Sequence, residues 1–298
     1  LLRIGMRLSE VAPDLAKQTV ADAVTIGVMS QPEDICLLRH DGSGKNAFKN
    51  PLSFRYLDDN FIESDAVKIG KTFMDYLKKT KDPRIHVYCS LKDGNTEFDK
   101  QFGLPNGYDS HTIADAPSGS FVGLENTSNF NINTILRLDA PTIFLMPSET
   151  KLLLAEAVLR NWTNGNAEVL YKEAITSSMK EQEIAYGTQG KITDEEIETY
   201  LAQNLLSTAN NTEKLQIIGE QYWVATFING YESYANWRRT GYPKLIPTNY
   251  SGSMSPGVIP TRLPYPTDEY SINRANVDTA NQQQGADKVT THIWWDID

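Results

Sequence analysis

Aromatic rings and side-chain amides are concentrated in an irregular part of the sequence, residues 94–147. Aromatic ring faces stack on the apolar C–H faces of sugars, and amide groups bind the sugar hydroxyls. Such a surface holds a sugar without cleaving it. The candidate ligand-binding residues are Asn106, Tyr108, His111, Phe121, Asn126 and Phe130. An alternative is open for each ring, because aromatic side chains in loops also pack the loop against its scaffold.

Patterns typical of catalysis are not found in the sequence. Its four histidines are scattered and form no His-Glu-x-x-His unit: His40, His86, His111 and His292. No Gly-x-Ser-x-Gly nucleophile elbow occurs, and residues 42–45 do not have the spacing of a phosphate loop. A glycosidase is kept as an alternative, because its two carboxylates can be distant in sequence, as are Asp58, Asp59, Glu195 and Glu196. We nevertheless predict no catalytic residue and no enzyme, because Glu195 and Glu196 suit the first turn of a helix.

One acidic segment has the alternation that a calcium loop uses. Asp93, Asn95, Glu97 and Asp99 supply oxygen atoms at every second position. Phe98, however, stands at the sixth position, where a calcium loop has glycine. We interpret the segment as a turn with solvated acids. The sequence therefore predicts no metal site and no cofactor, with a structural calcium ion kept as an alternative.

Composition limits the classes of partner. The chain has 298 residues, which can bury a sizeable core, and a formal net charge of −10. An acidic protein is poorly suited to nucleic acid or to an anionic membrane surface. No run approaches the ~18 apolar residues of a membrane-spanning helix. Two cysteines, Cys36 and Cys89, are too few for a disulfide framework or a zinc ribbon.

Helical periodicity predicts a scaffold at about 1–29, 64–80 and 148–240. In the first segment Pro13 begins a second helix, with Leu15, Thr19, Ala23 and Ile26 on one face. In the second, one apolar face carries Ile69, Phe73, Tyr76 and Leu77.

The third segment is predicted to begin with an antiparallel pair of helices. Helices at 148–162 and 167–183, joined by a tight turn, form a hairpin of the tetratricopeptide kind. Thr193 and Glu196 form a capping box for a helix to about Leu206. A long buried helix then begins at Thr212 and continues past Tyr231.

The remaining segments are predicted to be mostly irregular. Ile85, Val87 and Cys89 alternate with polar or aromatic residues before Asp93 and Gly94, which predicts a small β-hairpin. The loop 94–147 forms a ligand face, and the tail 243–298 wraps the helices. The predicted fold is therefore mainly α, a single domain over 1–298 with helical hairpins, long irregular loops and a small β-hairpin.

The long helix ends in a dense signature. Residues 231–243 read Tyr-Glu-Ser-Tyr-Ala-Asn-Trp-Arg-Arg-Thr-Gly-Tyr-Pro, and Gly241 followed by Pro243 predicts a helix stop. Together with residues 218–230, this segment closely resembles the carboxy-terminal signature of SusD-like outer-membrane nutrient-binding lipoproteins. Other short segments resemble the family in the same order: Arg3 to Leu8, Asp82-Pro83-Arg84, Glu149 to Ala157, 259–266 and Trp294-Trp295-Asp296.

The resemblance implies a fold and a function. It implies a superhelix of tetratricopeptide-like hairpins that supports an irregular ligand face. It also implies a non-catalytic lipoprotein at the surface of a Gram-negative outer membrane, which passes a glycan to a SusC-like TonB-dependent transporter. The family's amino-terminal half, with signal peptide and lipidated cysteine, is expected to be missing, so the only membrane contact would be a lipid anchor outside this segment.

The resemblance also separates structural residues from ligand-binding ones. It implies that the residues of the signature and of the matching helix are architectural: Glu156, Glu232, Trp237, Arg238, Arg239, Gly241 and Pro243. A helical-repeat scaffold that binds a peptide or a protein in the same transporter system is the alternative to glycan binding.

Overall fold

The computed structural model describes residues 1–58, 68–108, 111–206, 210–250 and 252–296. Within them the helices are α1 (Leu2–Arg7), α2 (Pro13–Ile26), α3 (Pro51–Asp58), α4 (Lys71–Thr80), α5 (Ile85–Tyr88), α6 (Pro147–Leu159), α7 (Ala167–Tyr186), α8 (Asp194–Gln203), α9 (Asn211–Ala225), α10 (Gly230–Thr240), α11 (Thr267–Ile272) and α12 (Arg274–Gln284). The strands are β1 (Cys36–Leu38), β2 (Cys89–Ser90), β3 (Asn129–Phe130) and β4 (Thr142–Leu145). The predicted mainly α fold with a small β component is confirmed.

Helices α6 and α7 form the predicted antiparallel hairpin at the centre of the core. Asn166 ends the connecting turn, and its side chain accepts hydrogen bonds from the first turn of α7. Ala155, Ala157 and Ala174 are fully buried, so the helix backbones can approach closely. Helix α9 packs on α6, and the core extends from there to α4 and α5.

The apolar face predicted for α2 is partly wrong. Ala23 is buried as expected, but Leu15 is 56% exposed and Ile26 is 78% exposed. Ala16 and Val20 are buried instead. The reason lies in α1, where a β-carbon on Gly5 would come within 3.0 Å of Thr19. Because glycine has no side chain, the face of α2 that carries Ala16 and Val20 can approach α1 at Gly5, and Leu15 points outward.

The position predicted for the β-hairpin is wrong. Residues Ile85–Tyr88 form the helical turn α5. The turn starts there because the side chain of Asp82 accepts a hydrogen bond from Arg84 N. Strand β2 follows and pairs antiparallel with β3, about 40 residues away in sequence. The predicted turn does form, with Gly94 at φ +87° and its N–H bonded to Leu91 O. The other sheet pairs β1 with β4.

The long helix predicted from Thr212 is broken in the structure. Helix α9 ends at Ala225, and α10 begins at Gly230 after a cap by the Asn229 side chain. The hydroxyl and the N–H of Thr226 both donate to Tyr222 O. The α-helical pattern ends at the next residue, because Phe227 N donates to Val224 O instead of Trp223 O. As a consequence Tyr231, predicted to be buried, is 93% exposed.

Other helix predictions agree with the structure more closely. The Thr193 and Glu196 capping box is present, although α8 ends at Gln203. Ile69, Phe73 and Leu77 are buried on one face, while α4 itself begins at Lys71. Residues 64–67 of the predicted second scaffold segment lie outside the described residues. None of the helices in the described part of the chain is long and apolar enough to cross a membrane.

A buried carboxyl group on α7, which contacts the start of α6, is expected to make the free energy of unfolding depend on pH. Glu181 accepts hydrogen bonds from Ser148 N at 2.8 Å and Ser148 Oγ at 2.6 Å. Burial nevertheless raises the pKa of Glu181 to about 7, from an ordinary value of 4.5. Its contribution to the free energy of unfolding is therefore fully present below about pH 4.5 and is lost as the pH rises through about 7.

The substitution Glu181→Gln is expected to remove this decrease in the free energy of unfolding with rising pH. Chemical denaturation between about pH 5 and pH 8 should show a steeper fall in the free energy of unfolding for the unmodified protein than for the variant. Glu183→Gln, two residues along the same helix, is the matched control and should keep the original pH dependence. Equal slopes for the unmodified protein and Glu181→Gln would contradict this assignment.

Candidate functional site

Part of the predicted ligand loop lies across the N-terminus of α4. Leu104 forms a parallel bridge with Gly70, with hydrogen bonds from Lys71 N to Leu104 O at 2.8 Å and from Leu104 N to Ile69 O at 2.7 Å. A β-carbon on Gly103 would lie 2.4 Å from Lys71 Cα, so this approach requires glycine. The loop is therefore held to the helical scaffold just before Asn106.

A cavity of about 390 Å³ opens beside this contact. We call it the Asn106 cleft, and it is lined by Gly70, Thr72, Phe73, Asn106, Trp223, Leu245, Ile246, Pro247, Thr248, Ser253, Ser255, Val258, Ile259 and Pro260. These residues come from the scaffold, the loop and the tail. The loop and tail meet directly, because a β-carbon on Gly107 would lie 2.8 Å from Thr248 Cβ.

One wall of the Asn106 cleft is aromatic and rigid. Trp223, half-buried on α9, meets Phe73 edge to face, with ring centroids 4.9 Å apart at 80°. It also meets Tyr76 at 5.9 Å and 61°. Phe73 in turn stacks on Phe227 at 4.2 Å. These contacts fix the indole in place without a bound ligand.

The polar groups of the Asn106 cleft are neutral. They are the exposed amide of Asn106 and hydroxyl groups from the scaffold and the tail, on Thr72, Thr248, Ser253 and Ser255. Among the described residues that line the cleft there is no Asp, Glu, Lys, Arg or His. Such a lining can stack on a ring face and exchange hydrogen bonds with hydroxyl groups, but it offers no carboxylate or imidazole for acid-base catalysis.

The other predicted ligand-binding residues do not line the Asn106 cleft. Tyr108 lies two residues beyond Asn106 and is half-buried, His111 is exposed, and Phe121 is half-buried. Asn126 is exposed and donates its amide to Val122 O and Glu125 Oε1, both at 2.9 Å. Their contact with a ligand stays a prediction.

Phe130 packs its loop against the scaffold, which is the alternative role given above for aromatic side chains in loops. It is half-buried against the core, 5.8 Å from Tyr56 and 5.5 Å from Phe227 between ring centroids. Its backbone also forms part of β3. These contacts attach the loop to the scaffold.

Sequence reasoning did not single out Trp223, Thr72 or the tail serines. Trp223 follows the helical periodicity of α9, which predicts a packing role. Ser253 and Ser255 lie in a segment without periodicity, so composition does not distinguish them from other tail residues. One feature of the sequence could have marked Trp223 as a candidate, because it lies inside the segment that resembles the family signature.

The signature arginines form the polar contacts that join α10 to the rest of the fold. Buried Arg239 donates to both oxygens of Glu156 at 2.7 Å, to Ser9 Oγ at 3.0 Å and to Asn236 Oδ1 at 2.7 Å. Burial alone would raise the pKa of the Glu156 carboxyl, but the guanidinium groups of Arg239 and Arg160 hold it below its usual range.

Arg238 connects α10 to the tail. Its Nη1 donates to Thr261 O at 2.9 Å, and its guanidinium lies 4.3 Å from the ring centroid of Tyr234 and 4.5 Å from that of Trp295. Trp237 stacks on Tyr234 with centroids 6.1 Å apart.

The two ends of α10 are also held by signature residues. At its start Glu232 accepts hydrogen bonds from Arg7 Nη2 at 2.5 Å and from the Tyr222 hydroxyl at 2.9 Å. At its end Gly241 takes the left-handed conformation, at φ +67°, as the helix stop predicts. The peptide bond to Pro243 is cis.

The acidic segment at 93–99 closes on itself. Asn95 N donates to Asp93 Oδ1 at 2.9 Å, and Glu97 N donates to Asn95 Oδ1 at 2.8 Å. The described ranges of the chain contain no group of three or more His, Cys, Asp or Glu side chains that could hold a metal ion. Of the carboxylates considered for a glycosidase, Asp59 lies outside the described residues. Glu196 is engaged in the capping box with Thr193.

Comparison with known proteins gives a consistent family. The family model for SusD-like proteins, described as Susd and RagB outer membrane lipoprotein, matches residues 1–296. A solved chitin-binding protein is 30% identical over 100% of this chain and 63% of its own length, with a TM-score of 0.82. A SusD-like protein of the Bacteroidetes is 25% identical over 100% of this chain and 68% of its own, with a TM-score of 0.81. A chitin-binding SusD homolog from Flavobacterium johnsoniae is 25% identical over 100% of this chain and 62% of its own, with a TM-score of 0.77. No curated protein sequence matches.

The family match covers nearly the whole sequence, while the chain spans 63% of the length of the 30%-identical structure. The helical fold agrees with these structures. The family description also confirms the predicted outer-membrane location. The chain therefore belongs to the SusD-like family of outer membrane lipoproteins.

Proposed function

We propose that this chain is the non-catalytic glycan-binding part of a cell-surface lipoprotein that passes oligosaccharides or polysaccharides to a TonB-dependent outer-membrane transporter. Its family and two similar structures, one named a chitin-binding protein and one a chitin-binding SusD homolog, support glycan binding. The observation that carries the proposal is the composition of the Asn106 cleft. An aromatic wall, one exposed amide and four hydroxyl groups meet there without a charged side chain.

The Asn106 cleft has the chemistry that a neutral sugar needs. The apolar C–H face of the sugar would lie against Trp223, and its hydroxyl groups would bond to Asn106 and to the tail serines. The volume of about 390 Å³ falls within the range of small-molecule sites. The remaining predicted residues, Tyr108, His111, Phe121 and Asn126, would contact longer glycans. Phe130 would support the loop.

Replacing the exposed amide is expected to weaken glycan binding without changing stability. A glycan array first identifies the ligand, and calorimetric titration then compares the unmodified protein with Asn106→Ala. Loss of one hydrogen-bonding amide is expected to lower the affinity about tenfold, while the melting temperature is unchanged because Asn106 is exposed. Asn46→Ala, an exposed asparagine outside the cleft, is the control.

Three results would contradict the proposal. Shortened sugars after prolonged incubation with a bound glycan would indicate an enzyme. A glycan array without signal, together with binding of peptides, would favour the peptide-binding alternative. Failure of the full-length lipoprotein to bind the detergent-solubilised transporter barrel would reject delivery, while leaving glycan binding intact.

A further inference from the structure

A second and larger cleft lies at the start of α10. It has a volume of about 730 Å³, and we call it the Tyr231 cleft. It is lined by Asn50, Pro51, Leu52, Ile135, Pro141, Thr142, Ile143, Phe144, Tyr186, Ile228, Asn229, Gly230, Tyr231 and Tyr234. None of these residues lines the Asn106 cleft. One hydrogen bond joins the two sites, because the Tyr234 hydroxyl donates to the carbonyl of Pro260, which lines the Asn106 cleft.

Two exposed rings line the Tyr231 cleft, Tyr231 on α10 and Phe144 on β4. Tyr231 is 93% exposed because α9 and α10 are separate helices, so Tyr231 does not continue the buried face of α9. Phe144 is 50% exposed and Leu145 after it is 39% exposed, while Ile143 before it is buried, so burial along β4 does not alternate strictly. Two aromatic faces that water reaches are thus placed around one cavity by distant parts of the sequence.

The base of the Tyr231 cleft is apolar and rigid. Ile135, Ile143 and Tyr186 are buried in the core. Tyr234 is held by its bond to the tail and by stacking on Trp237, with centroids 6.1 Å apart. The cleft therefore keeps its shape without a ligand, as binding sites for small molecules do.

The polar groups of the Tyr231 cleft are few and neutral. Asn50 and Thr142 are engaged within the protein, with Ala140 O and with His40 Nε2. Asn229 uses its side-chain oxygen to cap α10 through Glu232 N, which leaves its amide N–H groups for a ligand. In the described lining there is no Asp, Glu, Lys, Arg or His, so a charged sugar finds no counter-ion here.

We propose that the Tyr231 cleft is a second glycan subsite, which takes a neutral N-acetylated sugar unit. The ring face of the sugar stacks on Tyr231 or Phe144, the acetamido methyl group enters the apolar base, and the acetamido oxygen accepts from Asn229 Nδ2. A plain hexose fills the cleft less well, because it has no methyl group for the apolar base. The inference rests on the proposed function and adds a site and a sugar class to it.

The test compares two ligands that share a β-1,4-linked backbone. Calorimetric titration uses chitin and cellulose oligosaccharides of equal length, which differ in the acetamido group. The unmodified protein is expected to bind the acetylated ligand about tenfold more tightly. Tyr231→Ala and Phe144→Ala should each remove most of this preference, since a sugar unit without a ring to stack on leaves the cleft and its acetamido contacts are lost with it. Leu263→Ala, an 87% exposed apolar residue of the tail, is the control and should keep it.

The outcomes separate this subsite from the proposed function. Equal affinity for both ligands in the unmodified protein would overturn the subsite. So would an unchanged preference in Tyr231→Ala and Phe144→Ala while Asn106→Ala still weakens binding, and in that case the proposed function stands. Loss of a protein partner in Tyr231→Ala with unaltered glycan binding would assign the cleft to a protein interface. No binding of any glycan would overturn both.

Discussion

Replacement of Arg239 by alanine is expected to lower the free energy of unfolding by about 3–5 kcal/mol. Arg239 and Glu156 are both buried, and two hydrogen bonds of 2.7 Å join them. Arg160 keeps its bond to one oxygen of Glu156 in the variant, but the other oxygen loses its donor. A buried carboxylate that is only partly compensated is costly, because water cannot reach it.

Chemical denaturation of the Arg239→Ala variant measures this loss directly. Arg274→Ala is the matched control, because Arg274 forms a 2.9 Å ion pair with Asp278 on the exposed face of α12. Surface pairs of this kind contribute little, so the control should unfold like the unmodified protein. An Arg239→Ala variant that also unfolds normally would mean that the signature arginine is not architectural.

Replacement of Arg84 by methionine is the other substitution with a large expected effect. Arg84 and Asp82 are completely buried and joined by bonds of 2.9 and 2.5 Å from Nε and Nη2. The same guanidinium donates to Ser178 Oγ at 2.9 Å and to Gln221 Oε1 at 2.8 Å, which links α5 to α7 and α9. Removing it strands a buried carboxylate, so the expected loss is again about 3–5 kcal/mol.

A double substitution tests the cause of that loss. Asp82→Asn combined with Arg84→Met removes both charges, and it should recover part of the stability that Arg84→Met loses. Unfolding in denaturant is measured for both single variants and the double variant. A double variant no more stable than Arg84→Met would show that a stranded charge is not the reason for the effect.

The helical part of the fold could be predicted because its signals are local. The capping box of Thr193 and Glu196 and the stop at Gly241 are contained within a few residues, and both occur in the structure. The α6 and α7 hairpin follows from two periodic segments and a short turn. These elements depend on neighbours in sequence more than on distant contacts.

Elements that depend on distant contacts could not be predicted. Strand β2 pairs with β3, not with the segment after Gly94, and nothing in either strand identifies its partner. The outward position of Leu15 depends on Gly5 in the neighbouring helix. The break before α10 was missed because Phe227 and Ile228 continue the apolar periodicity of α9 across it.

The candidate site was predicted only where composition was sufficient. Asn106 belongs to the irregular loop with many amides and rings, and it lines the cleft. Its partners Trp223 and Ser253 come from a helix and from the tail, and they converge only after folding. Phe130 resembles the other loop aromatics in sequence, yet it packs on the core.

Different residues bind the ligand and hold the fold together, and one calorimetric comparison separates these two roles. The glycan is titrated into Asn106→Ala and Arg239→Gln at a temperature at which both variants are folded. We predict about tenfold weaker binding for Asn106→Ala and unchanged affinity for Arg239→Gln, although Arg239→Gln melts at a lower temperature. Normal affinity in Asn106→Ala together with lost affinity in folded Arg239→Gln would contradict the account and place the ligand at the signature.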